Sequence, residues 1–488
     1  MKSFLHLAVA IILFGTATNS YGKLGADETV KFTVHPSTLS HTNEGWGVSL
    51  CWWANMCGRW SEEKIDSIVD WLVSPNGLNF NVFRYNIGGG DDPLNRHCLT
   101  HHMGRRGGKG LRAEMEGFKD STAGSYHWER DEAQRRIMLK IRERRPDAVF
   151  EAFSNSCPYY MTYSGCVGGN DDPNQDNLRP EYYEEFAHYL VDVCKHYKDT
   201  YGIEFKTLDP FNEPMTDYWY RSGSQEGCHF DVSSQIAFLH VLKPILDASG
   251  LSTVISASDE TSTQTSARVL QAYLDSGTLD MIGQWNTHSY SADSTSRARI
   301  SALTRAAGKH LWMSETGGGG RGLAGNLNLA QRLFDDERQL KPDAWLDWQY
   351  IDEGDGEWAL VHGNFRRQTF HKMKHYYVRQ QVTRFIRQGY TFVHTDLPST
   401  LAAISPARDS LVLVTINHDT SAKVFEAQVA NTQIDRRLTS FITSEELSLA
   451  PFTDVKVKKR KGDATLLYQM PPQSILTLIV KLRPSTNN

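Results

Sequence analysis

Two stretches of the chain put a glutamate directly behind an apolar run: Phe211-Asn212-Glu213-Pro214 and Trp312-Met313-Ser314-Glu315-Thr316-Gly317. A pair of carboxyl groups can divide one reaction between them. One protonates a departing oxygen while the other, ionised, attacks the carbon it leaves. That is the chemistry that cleaves the acetal link between sugars, and Glu213 and Glu315 are the candidates for the pair. Asn212, beside the acid, is placed to hydrogen-bond the neighbouring sugar hydroxyl. A lone glutamate after a strand is more often a helix-start charge or an ion-pair partner. The two motifs gain meaning from where they fall in the larger pattern.

Between residues 42 and 382 the chain alternates short apolar segments with amphipathic ones. Strands are expected at 45–53, 79–87, 148–154, 205–211, 252–257, 281–288, 309–314 and 344–350, each rich in apolar or β-branched residues. Helical spacing separates them: Ala133, Ile137 and Ile141 before Pro146, then Tyr182, Phe186, Tyr189, Leu190 and Val193, then Ile236, Leu239, Leu242 and Leu246. Further helices are expected at 61–73, 262–274, 294–306, 324–340 and 368–379. Eight such units predict a (β/α)₈ TIM barrel rather than an open doubly wound sheet, because Gly88-Gly89-Gly90 lacks the GxGxxG spacing of a phosphate loop. Glu213 then ends the fourth strand and Glu315 the seventh, both at the barrel face where active sites form. Past residue 383 the helical spacing stops, and turn-separated strands predict a β-sandwich over 383–488, joined by a strand at 28–35.

Other strand ends supply the rest of a cleft. Arg84 closes strand two and is suited to pair with Glu315. His288 and Tyr290 follow strand six and can hold the nucleophile or a hydroxyl. Trp53 and Trp348, near strands one and eight, offer flat faces to a sugar, and Asn155 and Tyr160 follow strand three. Each has an ordinary structural use as well: an ion pair for the arginine, the core for the tryptophans and the histidine.

The chain has 488 residues, 40% hydrophobic and 22% charged, with a net charge of −5, so no basic excess invites nucleic acid or an anionic membrane. Lys2, an apolar run over 4–14 and small polar residues over 15–20 form the outline of an export signal at 1–22, which places the protein in a secreted or periplasmic setting. No other run is long enough to span a membrane. Of seven cysteines, Cys157 and Cys166 share a loop and are the expected bridge. Without a CxxC pair or an HExxH motif, neither a metal nor a cofactor is expected.

The strand-end motifs resemble those of glycoside hydrolase family 30 across residues 30–485. Gly45-Trp46-Gly47-Val48-Ser49-Leu50-Cys51-Trp52-Trp53-Ala54 and Glu151-Ala152-Phe153-Ser154-Asn155-Ser156 are most similar to its endo-β-1,6-galactanase-like branch. The resemblance implies retention of anomeric configuration, Glu213 as acid/base and Glu315 as nucleophile, and an oligo- or polysaccharide as partner. It also implies a galactan substrate, with β-1,6-glucan, xylan or a glucosyl lipid as alternatives. A non-catalytic carbohydrate-binding protein would be expected to have lost one of the two glutamates.

Overall fold

In the computed structural model, which describes residues 29–90, 115–354, 356–459 and 463–483, eight parallel strands close into a barrel. A long strand β1 (Thr29–Thr42) precedes them. The barrel strands are β2 (Gly45–Ser49), β3 (Val82–Asn86), β4 (Val149–Phe153), β5 (Thr207–Asp209), β6 (Val254–Ser262), β7 (Gln284–Ser291), β8 (His310–Thr316) and β9 (Ala344–Asp347), with β9 pairing back to β2. They are covered on both faces, which is why they read as near-continuous apolar runs rather than alternating ones. The export signal expected at 1–22 lies outside the described residues.

Amphipathic helices form the outer layer. The helix Tyr183–Tyr201, for example, buries Phe186, Tyr189, Leu190, Val193 and Tyr197 on one face and stops at Gly202, whose φ of 63° suits a residue without Cβ. One expectation fails here. Residues 368–379 do not form a single helix: β12 (Thr369–Lys372) pairs with β11 (Ala359–Asn364), which pairs with β10 (Gln349–Asp352), and the helix begins only at Lys374. The outward–inward alternation of Thr369-Phe370-His371-Lys372 is a strand period, and Phe370 packs on Trp60 and Trp71.

β1 does not belong to the barrel. It lies inside a ten-stranded sheet, antiparallel to β13 (Thr391–Thr395) on one side and parallel to Lys423–Val429 on the other. The sheet curls so that its two wings share a core of Phe32, Val34, Leu411, Leu413, Phe425, Leu466 and Leu478. The Tyr468 and Thr415 hydroxyls meet across it at 3.0 Å. The segment between barrel and sheet is tied to both by directed bonds: the Trp46 indole N–H donates to the Ile386 carbonyl at 2.6 Å, and the sheet's Thr477 hydroxyl donates to the Gln381 carbonyl at 2.6 Å.

The expected Cys157–Cys166 bridge is not formed. Cys166 is disulfide-bonded, whereas Cys157 is a buried free thiol beside Cys228. Nearness in sequence within a loop does not supply the Cβ geometry that a disulfide requires.

Phe32 contributes to the sheet core although it precedes the barrel. Phe32→Ala should cost about 3–5 kcal/mol, the range for a buried aromatic truncated to alanine. Denaturant unfolding measures this, and a cost below about 1 kcal/mol would show β1 to be peripheral.

Candidate active site

Glu315 sits on β8, one residue from its end, and Glu213 lies just past β5, so both project from the same rim of the barrel. Glu213 has a left-handed backbone, φ 50°, which is unfavourable for a residue with a side chain. Its N–H is held by the Asp259 carbonyl at 2.9 Å. An oxygen of Glu213, an oxygen of Glu315 and a ring nitrogen of His288 lie within 4.8 Å of one another. Both carboxyl groups are nearly buried, at 6% and 3% exposure.

Arg84, fully buried on β3, organises the site. Its Nε donates to Glu151 at 3.0 Å, its Nη1 to Glu315 at 2.8 Å, and its Nη2 to Asp259. Burial would lower the arginine's pKa, but Asp259, Glu151 and Glu315 outweigh it and keep the guanidinium charged. Asp259 also accepts from the Ser314 hydroxyl at 2.5 Å and faces His288 Nε2 at 3.4 Å, an ion-pair contact rather than an aligned hydrogen bond. On its other side, His288 Nδ1 lies 3.2 Å from Glu213 and 3.8 Å from Glu315. Burial acts to lower the histidine's pKa, yet Glu315, Asp259 and Glu213 lift it to about 10, so it is an imidazolium.

The Glu315 carboxyl has its pKa raised to about 6. Burial is the largest cause; His288 and Arg84 pull the other way and Glu213 adds to the rise. The Tyr290 hydroxyl donates to Glu315 at 3.0 Å. Beneath the pair, burial followed by the nearby charges of Asp259 and Glu151 raises the pKa of Asp209 well above the carboxylate range. The Glu213–His288–Glu315 trio also has the spacing of a metal site; with its imidazole protonated, His288 instead presents a positive charge to both carboxyl groups.

Above these groups opens a cleft of about 430 Å³, lined among others by Asn155, Asn212, Tyr290 and Trp348, as the sequence suggested. Asn212 lines the cleft, and its buried side-chain oxygen has no hydrogen-bond partner among the described residues. Trp348 stands edge-on to Trp52 at 5.3 Å. Two expectations are corrected. Trp53 is fully buried, donates to the Ser49 carbonyl at 2.9 Å and packs on Tyr350, so it is a core residue beneath the rim. Tyr160 turns away and bonds Glu185 at 3.3 Å.

Four participants escaped the sequence reading: Asp259, Glu151, Tyr218 and Trp358. Asp259 stands two residues past the expected end of strand five, so the search that found Glu213 would have found it had the strand been drawn to Ser262. Glu151 is a charge inside a buried strand, itself a signal. Tyr218 and Trp358 come from loops; the Tyr218 hydroxyl donates to Glu213, and Trp358 packs on Tyr290 and over Gly318. Their rings are 41% and 37% exposed and give the cleft two open aromatic faces.

A closed barrel with paired carboxyl groups at its active face and aromatic cleft walls is the arrangement of a barrel glycosidase. The model of O-glycosyl hydrolase family 30 matches residues 29–337. An endo-beta-1,6-galactanase of Hypocrea rufa is 32% identical over 430 residues, covering 86% of this chain and 85% of that protein. An exo-beta-1,6-galactobiohydrolase of Bifidobacterium longum subsp. longum is 23% identical over 444 residues, which span 71% of this chain and 29% of that protein. Among solved structures, the catalytic domain of a GH30 xylanase C from Talaromyces cellulolyticus has the same fold, with a TM-score of 0.70 at 18% identity over 92% of this chain and 99% of that one. This chain belongs to glycoside hydrolase family 30 and is a glycosidase.

If Glu315 is the attacking group expected from the sequence, it must be ionised, and kcat/KM should fall as pH drops below about 6, where it takes up a proton. Arg84→Met removes one of the two cations that favour the ionised form. It should move this acid limb upward by roughly a unit or more. A pH–rate profile with an unmoved limb would show that the arginine does not tune Glu315.

Proposed function

We propose that Glu315 attacks the anomeric carbon while Glu213 protonates the departing oxygen, and that the net result is hydrolysis with retention. The single observation that carries this reading is the close approach of the two carboxyl groups, with oxygens within 4.8 Å of each other. Retaining enzymes hold the groups roughly 5–5.5 Å apart, whereas inverting ones leave roughly 6.5–9.5 Å for a water. In the second step Glu213 takes a proton from water, and the resulting hydroxide oxygen displaces Glu315 from the sugar. His288 supports both steps: as a cation beside both carboxyls it favours negative charge on whichever one carries it. Asn212 is assigned to the 2-hydroxyl and the rings of Tyr218, Trp348 and Trp358 to sugar faces.

For the substrate we propose a β-1,6-linked galactan, cleaved internally, as in arabinogalactan side chains. The support is the galactanase of Hypocrea rufa, similar over 86% of the chain, and the galactobiohydrolase, whose name carries the same linkage. The expected leader at 1–22 supports action on a glycan outside the cytoplasm.

Digestion of β-1,6-galactan should release a ladder of short oligomers whose first-formed reducing ends are β by NMR. Release of α-products, or activity confined to β-1,6-glucan or xylan in a panel of defined oligosaccharides, would refute the mechanism or the substrate respectively. Glu315→Ala should reduce turnover by roughly 10⁴-fold or more while glycan binding persists. Trp358→Ala should weaken substrate binding by about tenfold, the effect of losing some 60 Å² of apolar contact, and change KM more than kcat.

A further inference from the structure

Three side chains on the β-sheet domain, remote from the cleft in chain and fold, converge without any part in catalysis. His394 lies near the end of β13, and Asp396 follows one residue past that end. His35, on β1, is registered directly opposite His394 in the antiparallel pairing. His35 Nε2 lies 3.2 Å and His394 Nε2 3.3 Å from the same oxygen, Asp396 Oδ1, and the two rings are 5.4 Å apart between centroids. The Asp396 backbone is fixed by its N–H bond to the Thr33 carbonyl at 3.1 Å. All three ligand atoms lie within 4.8 Å of one another.

From this geometry we propose a binding site for a divalent transition-metal ion of the zinc class, formed by His35 Nε2, His394 Nε2 and an Asp396 carboxylate oxygen. Zinc bonds of about 2.0–2.1 Å at a tetrahedral angle set neighbouring ligand atoms roughly 3.4 Å apart. The two nitrogen–oxygen separations in the trio are within about 0.2 Å of that edge. Two imidazoles and one carboxylate are a borderline donor set that favours zinc, copper or nickel over calcium or magnesium. The side chains are 34%, 53% and 49% exposed, which leaves the outer coordination positions to water. Two other trios are less suitable. Asp176, near His229 and Asp231, is already occupied by the Asp231 N–H and the Ser234 hydroxyl. Glu44, near His310 and Asp343, is paired with Lys206 and the Trp312 indole.

A bound ion would cross-link β1 to β13, the strand entering the barrel and the strand leaving it. The test is calorimetric titration of zinc chloride into the full chain and into the His35→Ala/His394→Ala double variant at neutral pH, with Tm followed in parallel. The proposal requires one site per chain of micromolar dissociation constant, a zinc-dependent rise in Tm, and loss of both in the double variant, with at least a 100-fold weaker affinity. Cobalt(II), added to the wild type, should show the visible absorption of a four-coordinate nitrogen–oxygen site, a readout independent of any variant's folding. Equal zinc affinity in the wild type and the double variant, or no micromolar site in the wild type, would overturn it.

Discussion

A single buried guanidinium sets the terms for this active site. Arg84 spends its donors on carboxylates from three other strands, Glu151 of β4, Asp259 of β6 and Glu315 of β8, and so ties four barrel strands together through their catalytic ends. A charge without water is tolerable only when paired and hydrogen-bonded throughout. Removing one partner leaves another charge stranded, so Arg84, Glu315 and Asp259 depend on one another. The neighbourhood holds more carboxyl groups than cations, and burial, with the charges of Asp259 and Glu151, pushes the pKa of Asp209 up. Glu151 is the counterpart case: Thr207, Ser256, Gln284 and Asn286 all donate to its second oxygen, replacing the water it lost.

This arrangement also gives the two catalytic candidates different surroundings. Glu315 is gripped by Arg84 on one carboxylate oxygen and by Tyr290 on the other, which fixes its carboxyl plane. Glu213 is held on its edge by Tyr218 and His288, and its unusual backbone is anchored by Asp259. Asp259 thus reaches one carboxyl through its side chain and the other through its main chain. Orientation of the pair is therefore a property of β6 as much as of the strands that carry them.

Much of this was readable from the residues alone. The barrel was legible because strands buried on both faces leave uninterrupted apolar runs and their helices leave clean stripes. Glu213, Glu315, Arg84, His288 and Tyr290 were legible because they lie on or just past the barrel strands, whose side chains converge on one site. Trp53 was misread because sequence position reports the element and not which side of it faces the cleft. Tyr218 and Trp358 were missed because loop conformation depends on distant partners, such as the Gly317-Gly318 backbone beneath Trp358. The strand β12 was taken for a helix because four residues give too few repeats to separate the two periods. The cysteine pairing failed for a related reason, since loop geometry is settled by neighbours that sequence spacing does not reveal.

The position of β1 has a consequence for how the chain comes into being. It sits between β13 and Lys423–Val429, with His35 opposite His394, so its partners emerge from the ribosome some 360 residues after it does. At about 5–20 residues per second that is a wait of roughly 20–70 s. During it the barrel strands, whose partners arrive in order, can close while β1 presents an unpaired, partly apolar edge. The sheet is completed only when its last strands appear, after every strand of the barrel has been made.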